Sequence, residues 1–152
     1  MAVFTSCEED VKFNTPAVQG LKNNELWKAD DFTALLNSNG SVVITATNEF
    51  ETVVLRTRDK NPGTYTLGVN NANMASFTIS ELTGVGDSFQ TGTSADENNG
   101  VGEIIISNDT RETDLARGYI SGSFRFNAYN DEGDIVYFTN GVFYKVPLTT
   151  IP

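Results

Sequence analysis

The chain has 152 residues, the length of one ordinary domain, and its 20 acidic against 10 basic residues give a formal net charge of −10. This charge repels phosphate backbones, and the basic residues form no clustered face, which argues against a nucleic-acid partner. The chain has no histidine and one cysteine, which removes internal disulfides, histidine-activated nucleophiles and the common zinc-ligand sets. We therefore expect no cofactor and no metal centre.

The single cysteine ends the segment Val3-Phe4-Thr5-Ser6-Cys7 and is followed by Glu8, Glu9 and Asp10. The segment resembles the lipobox of bacterial lipoproteins, in which the chain is cleaved before a cysteine that then carries acyl groups. The three acids resemble the export signal that sends lipoproteins of Bacteroidota to the outer face of the outer membrane. The resemblance implies lipidation at Cys7, a membrane contact through that lipid, and a surface-exposed position on the outer membrane.

A secretory signal needs a basic region and an apolar stretch of about 7–15 residues, whereas six residues precede Cys7. We therefore expect Met1 to lie inside a longer precursor. The alternative is a free cysteine in a frayed terminus. Residues 1–16 are interpreted as the remnant of the signal peptide, the lipobox cysteine and an acidic tether, because they lack periodicity and end in Thr15-Pro16.

Residues 17–152 alternate apolar and polar residues between turn signals spaced about ten residues apart, which predicts one antiparallel all-β domain, a sandwich or barrel-like, of roughly nine to eleven strands. The candidate strands are 17–22, 25–36, 41–47, 51–58, 64–69, 75–80, 86–91, 102–107, 115–129, 133–139 and 142–147. The segment 30–36 could instead hold one helical turn.

Five aromatic residues are predicted to fill the core, because aromatic rings dominate the cores of β domains; they are Trp27, Phe124, Phe126, Phe138 and Phe143. The clearest half-buried strand is 119–129, in which Ile120, Gly122, Phe124, Phe126 and Ala128 alternate with polar residues. Trp27, Phe138 and Phe143 are expected to join the same core.

The dipeptide Asn140-Gly141 lies between two β-like runs and favours a two-residue type I′ turn, in which both residues have positive φ. The register then sets Phe138 opposite Phe143 and Tyr137 opposite Tyr144. The tyrosine face is either covered by the domain or exposed, and if exposed it is a candidate binding platform.

Several motifs occur in an order that resembles an uncharacterised lipoprotein family of Bacteroidota, the domain of unknown function 6252. They are Trp27-Lys28-Ala29, Gly63-Thr64-Tyr65-Thr66-Leu67, Gly102-Glu103-Ile104-Ile105-Ile106-Ser107, Ile120-Ser121-Gly122-Ser123-Phe124-Arg125-Phe126 and Val136-Tyr137-Phe138-Thr139-Asn140-Gly141-Val142-Phe143. The resemblance covers residues 17–147. It implies an envelope lipoprotein with an all-β domain and carries no catalytic or binding residues to transfer.

Three constellations could carry chemistry. Paired acids could hydrolyse glycosides, but the best clusters, Asp96-Glu97 and Asp131-Glu132 with Asp134, lie in predicted turns. Asp96, Asn98 and Gly100 have a spacing that could suit Ca²⁺, although the EF-hand pattern fails. The densest basic group, 56–60, is interpreted as a solvated strand end.

Three functional classes remain open. The first, which we favour, is a non-catalytic surface lipoprotein that binds or assists an envelope protein complex. The second is a glycan-binding module, which would use exposed tyrosines such as Tyr137 and Tyr144. The third is a carboxylate-dependent hydrolase, which requires two acids that converge in a concave pocket.

Overall fold

The computed structural model describes residues 15–68, 72–81, 84–91 and 101–150. Within these ranges all regular structure is β, which confirms the predicted fold class. The eleven strands are β1 (Ala17–Lys22), β2 (Glu25–Lys28), β3 (Asp31–Leu36), β4 (Val42–Asn48), β5 (Glu51–Thr57), β6 (Gly63–Leu67), β7 (Met74–Glu81), β8 (Gly84–Gln90), β9 (Val101–Ile106), β10 (Tyr119–Tyr129) and β11 (Ile135–Thr150).

The strands form one sheet in the order β2-β1-β11-β3-β4-β5-β7-β8-β10-β9-β6, and β10 pairs with β11 as well. The seven strands from β11 to β10 therefore close into a ring. The ring is closed by two short contacts: the parallel pairing of β11 with β3, which begins at Leu148 and Ala34, and the pairing of Tyr129 with Gln90 between β10 and β8. β1, β2, β9 and β6 extend the sheet beyond the ring.

All eleven strands contribute buried residues to one hydrophobic core. Phe138 lies at its centre, where its ring centroid is 4.9 Å from that of Phe126, 5.4 Å from that of Phe77 and 5.8 Å from that of Trp27. β7 and β11 are not neighbours in the sheet, so the Phe77 contact joins strands that face each other across the core. The domain thus combines the facing layers of a sandwich with a closed sheet. The prediction that Trp27, Phe124, Phe126, Phe138 and Phe143 fill the core is confirmed.

The predicted hairpin at Asn140-Gly141 is wrong, because residues 135–150 form the single strand β11. A type I′ turn requires a positive φ at both of its central residues. Asn140 has a positive φ of 52°, but Gly141 is not among the residues with positive φ. Both sides of Asn140 pair with the long strand β10, where Phe138 lies opposite Phe126 and Gly141 lies opposite Phe124. Asn140 is therefore a bulge residue within a continuous strand.

β11 contains a second bulge of the same kind at Lys145, whose φ is 48°. From Phe143 to Val146 the strand advances three residues, while β10 advances two residues from Gly122 to Ile120. The buried hydroxyl of Ser121 accepts a hydrogen bond of 2.8 Å from the Lys145 backbone N–H and so holds this bulge in place.

The two bulges keep the same side of β11 turned toward the core. Inward and outward residues alternate along a strand, and each bulge adds one residue to this alternation. The inward positions are therefore counted anew after each bulge. The inward residues are Val136, Phe138, Gly141, Phe143 and Val146, and all five are buried. A strand without the bulges would turn the residues beyond each of these points outward.

Two other strand predictions are corrected. The segment 25–36 forms two strands because the chain changes neighbours: the Ala29 N–H bonds to Val18 of β1, whereas the Asp30 N–H bonds to Thr47 of β4. The possible helical turn at 30–36 is therefore wrong. The strand predicted over 115–129 begins at Tyr119, because residues 115–118 form a turn around the backbone carbonyl of Asp114.

A polar contact secures β1 and β2 to the opposite side of the core. Trp27 Nε1 donates a 2.7 Å hydrogen bond to Glu51 Oε1, and Lys22 Nζ lies 2.9 Å from Glu51 Oε2. The same ammonium lies 5.1 Å from the centroid of the Phe77 ring. The half-buried Glu51 thus has partners on both oxygens, which offsets the cost of removing its charge from water.

We predict that Gly141→Ala lowers the free energy of unfolding by about 1–3 kcal/mol. A Cβ at this position would lie 2.6 Å from ring carbons and from the backbone oxygen of Phe124, so β10 and β11 would have to separate. The measurement is chemical denaturation of both proteins. The matched control is Asn140→Gly, which keeps the left-handed conformation and should stay within about 0.5 kcal/mol of the wild type. A silent Gly141→Ala substitution would contradict this account of the strand contact.

Candidate functional site

Two of the predicted sites lie outside the described residues. These are the lipidation and export segment, Cys7 with Glu8, Glu9 and Asp10, and the possible calcium loop at Asp96, Asn98 and Gly100. The acidic pair Asp96-Glu97 lies there as well. The described structure therefore bears on the tyrosine platform, the remaining acids and the surface grooves.

Tyr137 and Tyr144 do not face each other, because they belong to the same strand. Tyr137 lies opposite Asn127 of β10, and Tyr144 lies opposite Ala17 of β1. Both are on the outer side of β11. They are seven positions apart on the extended strand, which corresponds to roughly 20 Å. The predicted two-tyrosine platform is therefore not formed.

Only one of the two tyrosines is widely accessible. Tyr137 is 49% exposed and shares a cross-strand row with Asn127 and with Val101, which is 50% exposed. Tyr144 is half-buried, and the Lys145 ammonium lies 5.5 Å from its ring centroid. Any stacking partner would thus meet Tyr137 first.

The turn at 131–134, which contains three acids, is held by the side chain of Asn130. Asn130 Oδ1 accepts hydrogen bonds from the backbone N–H groups of Glu132 and Asp134, and the Asn130 amide lies 3.3 Å from Asp134 Oδ2. Asp131, Glu132 and Asp134 are all exposed. The acids therefore lie in a solvated turn, as the sequence predicted, but the turn-forming side chain is Asn130.

Every acid that is partly buried in the described ranges has a polar side-chain partner. The other acids whose burial is described are exposed. The pairs are Glu51 with Lys22 and Trp27, Asp59 with Tyr65, Glu103 with Arg125, Asp109 with Arg111, Glu112 with Ser107, and Asp114 with Arg117. These acids are committed to holding loops and strand ends.

The most strongly perturbed of these pairs is Asp59 with Tyr65, at the loop between β5 and β6. The Tyr65 hydroxyl is in hydrogen-bond contact with Asp59 Oδ1 and the Asn61 carbonyl, and the Asn61 N–H donates to the same carboxylate. The hydrogen bond from Tyr65 is the main reason why the pKa of Asp59 is lowered. Burial, together with the Asp59 carboxylate, raises the pKa of the Tyr65 hydroxyl. This pair fixes the loop and supplies no proton near neutral pH.

Among the open grooves on the described part of the surface, three are considered for binding. One of about 510 Å³ is lined by residues that include Gly63, Ile105 and Glu112, and one of about 210 Å³ lies between Glu103, Arg125 and Asn140. The third groove, also of about 510 Å³, contains two arginines and is called the arginine groove. Its lining residues are Asn37, Asn39, Ser41, Val43, Arg56, Arg58 and Ala72. Neither Tyr137 nor Tyr144 is among the lining residues of these three grooves.

Sequence reasoning missed the arginine groove, because it interpreted 56–60 as a solvated strand end. Its residues come from three separate segments, and no local pattern joins them. One signal was available: Arg56 and Arg58 are two residues apart at the end of a strand, so their side chains are expected on one face. The alternating buried residues Val53, Leu55 and Thr57 identify that face as the outer one.

Among the described residues, no helix has the length and apolar character needed to cross a bilayer. In the same ranges no group of three or more Cys, Asp or Glu residues is arranged to hold a metal ion.

A family model described as a domain of unknown function, DUF6252, matches residues 14–147. Comparison with curated proteins and with solved structures gave no match. The family match covers every strand from β1 to β10 and most of β11.

We predict that Tyr65→Phe destabilises the protein by about 1–2 kcal/mol at pH 7 and by less in acid. The pKa of Asp59 is lower in the folded chain than in the unfolded one, so its contribution is complete above the unfolded value of about 3.9 and is lost as the pH falls through the folded value. Urea denaturation of both proteins between pH 2 and 7 measures the difference, with the exposed Tyr137→Phe as the matched control. A difference that stayed constant or grew below pH 4 would contradict the assigned hydrogen bond.

Proposed function

The chain belongs to the DUF6252 family, and we propose that it is a non-catalytic lipoprotein of the bacterial outer membrane that binds or assists an envelope protein complex. Lipid on Cys7 would anchor it, and Glu8, Glu9 and Asp10 would direct it to the cell surface of a member of the Bacteroidota. The folded domain would then present its outer sheet faces and grooves to a partner.

One observation supports a binding role: the partly buried acids of the described residues are paired with other side chains, whereas the surface has open grooves. A carboxylate-dependent hydrolase needs one acid that is protonated near neutral pH beside a second that is ionised. Among the described residues, the carboxyl groups whose pKa values are shifted are Asp59 and Asp109, and both pKa values are lowered. Open grooves on the outer surface of the sheet suit recognition better than acid–base chemistry.

The distance from the proposed anchor to the domain supports the same role. Cys7 lies ten residues before Ala17, where β1 begins. An extended chain of ten residues spans at most about 35 Å. Each methylene group of an acyl chain that is buried in the membrane contributes about 0.8 kcal/mol to binding, so two or more acyl chains on Cys7 would anchor the protein stably. The domain would therefore be held close to the membrane, where envelope proteins are its nearest partners.

We predict that, in a flavobacterial host and from its full precursor, the wild-type protein partitions into detergent and carries lipid on Cys7. Cys7→Ala should leave the protein in the aqueous phase with its domain still folded. Phase separation with Triton X-114 and mass spectrometry of the N-terminal peptide provide the measurement. Wild-type protein with a free thiol in the aqueous phase would contradict the proposed anchor.

The export signal is tested within the same experiment by a second variant. Replacement of Glu8, Glu9 and Asp10 by alanine should keep the lipid but protect the protein from protease added to intact cells. The matched control replaces the exposed acids Asp131, Glu132 and Asp134, which removes the same charge from a distant turn. Equal protease access in both variants would contradict the surface half of the proposal.

A second candidate function is glycan binding, which the exposure of Tyr137 favours. Its ring and Val101 are each about half exposed and flank Asn127 on one outer row, so an apolar surface and an amide lie side by side. Sugar rings stack on such surfaces, and an amide can donate to and accept from their hydroxyl groups. Tyr144 contributes nothing to this row.

For this candidate we predict that Tyr137→Ala weakens binding of neutral hexasaccharides of glucose, xylose or mannose by about tenfold. This is the loss expected when one stacking contact with an aromatic ring is removed. The melting temperature should change by less than 2 °C, because about half of the side chain is already in water. Tyr137→Phe, which keeps the ring, should retain binding in isothermal titration calorimetry. The candidate would be ruled out if the wild type showed no detectable binding. It would also be ruled out if Tyr137→Ala and Tyr137→Phe bound equally well.

A further inference from the structure

The turn between β3 and β4 contains the dipeptide Asn39-Gly40. Asn39 is exposed, and Gly40 has a positive φ of 95°. Among the described residues, no atom apart from those of its chain neighbours lies within 4 Å of the position that a Cβ of Gly40 would take. The Gly40 N–H donates a 2.9 Å hydrogen bond to the Asn37 carbonyl, which closes the turn. The peptide nitrogen of Gly40 therefore lies in an open turn with no side chain of its own to shield it.

The side-chain amide of Asn39 is held by two hydrogen bonds to its oxygen. Asn39 Oδ1 accepts a bond of 3.0 Å from the Ser41 N–H and one of 2.8 Å from the Ser41 hydroxyl. Asn37 Nδ2 donates a 3.0 Å bond to the same hydroxyl, so the hydroxyl proton is directed to Asn39. The bond from the Ser41 N–H closes a ring that includes the Gly40 nitrogen, and it turns the Asn39 carboxamide toward that nitrogen.

These contacts favour nucleophilic attack on the carboxamide carbon of Asn39. Two donors on Oδ1 stabilise the negative charge that develops on this oxygen when a nucleophile adds to Cγ. The Gly40 nitrogen is the next atom but one to the Asn39 Cα along the backbone, so its attack closes a five-membered ring within the chain. The Gly40 N–H must first leave the Asn37 carbonyl and lose its proton, so the reaction is slow and accelerates as the pH rises.

From this geometry we propose that Asn39 is a site of spontaneous deamidation in the folded protein. Hydroxide takes the proton of the Gly40 nitrogen, this nitrogen bonds to Asn39 Cγ, and the bond from Cγ to Nδ2 breaks. Ammonia leaves with a proton from water, and a succinimide ring remains. Water then adds to either carbonyl carbon of the ring and opens it, which gives aspartate or isoaspartate at position 39. The net reaction consumes one water and releases one ammonia, and nothing is oxidised or reduced.

The modification would alter the surface around the turn. Asn39 is one of the residues that line the arginine groove, so a carboxylate at this position adds a negative charge there. Isoaspartate also adds one carbon atom to the backbone between Leu36 and Val42, which pair at the ends of β3 and β4. The charge and the shape of this groove would therefore change with the age of the protein, independently of the proposed binding role.

The same dipeptide at Asn140-Gly141 provides a control within the molecule. Gly141 is buried in β11 opposite Phe124, and a Cβ at Gly141 would lie 2.6 Å from atoms of that residue. Rotation of the Gly141 nitrogen toward the Asn140 side chain would pull β11 away from β10, so this dipeptide should resist the reaction. The third Asn-Gly of the sequence, Asn99-Gly100, lies outside the described residues.

The test incubates the full chain at mildly alkaline pH and follows each asparagine by peptide mapping with mass spectrometry. Isoaspartyl methyltransferase counts the isoaspartate that forms. Position 39 should convert about tenfold or more faster than position 140 in the folded protein, because the Gly141 nitrogen is held in the strand. In concentrated urea the two positions should convert at similar rates. Peptide mapping scores Asn99 separately.

Ser41→Ala removes the hydroxyl donor and should slow conversion at position 39 several-fold, whereas Ser41→Thr, which keeps the hydroxyl, should retain the wild-type rate. The matched control is Ser38→Ala, which removes an exposed hydroxyl on the other side of Asn39 and should leave the rate unchanged.

The proposal is overturned if Asn39 stays intact in the folded protein while it converts in urea, or if positions 39 and 140 convert equally fast in the folded protein. A rate that Ser41→Ala leaves unchanged or raises would also overturn it. Aspartate without isoaspartate would show direct hydrolysis and so exclude attack by the Gly40 nitrogen.

Discussion

β11 must keep one side toward the core over sixteen residues while it pairs with β10 along one edge and with β1 and β3 along the other. A regular strand twists and cannot satisfy all three neighbours at this length. Asn140 and Lys145 resolve the conflict, because each inserts one residue with left-handed φ and restores the inward alternation. Phe138, Phe143 and Val146 remain buried as a result, and the core of the whole domain is built around them.

The difference between the predicted hairpin and the observed strand has a physical cause. Asn is tolerated at left-handed φ both in a type I′ turn and in a bulge, so the local signal at Asn140-Gly141 fits either. What decides between them is the partner strand: β10 is eleven residues long and contacts β11 on both sides of the bulge. The sequence contains this information only in the length of the 119–129 alternation, which exceeds the length of either half of the predicted hairpin.

The fold class and the aromatic core could be predicted because each strand carries its own period-two pattern. The grooves could not, since they form where segments distant in the sequence meet. Val43 and Arg56, for example, become neighbours only through the pairing of β4 with β5. The same holds for Glu51, whose partners Trp27 and Lys22 come from the other side of the core. Sequence patterns reveal which side a residue faces, whereas its neighbours across strands follow from register.

The parallel contact between β11 and β3 has a consequence for the order of folding. Leu148 pairs with Ala34, which precedes it by more than one hundred residues, and β1 also depends on β11 for one of its two edges. Loop closure over such a span is costly in entropy and raises the contact order. Meanders such as β3-β4-β5 can form early, but the ring closes only when the last strand arrives. Until β11 is available, the ring therefore remains open, and β1 and β3 each lack one of their edge partners.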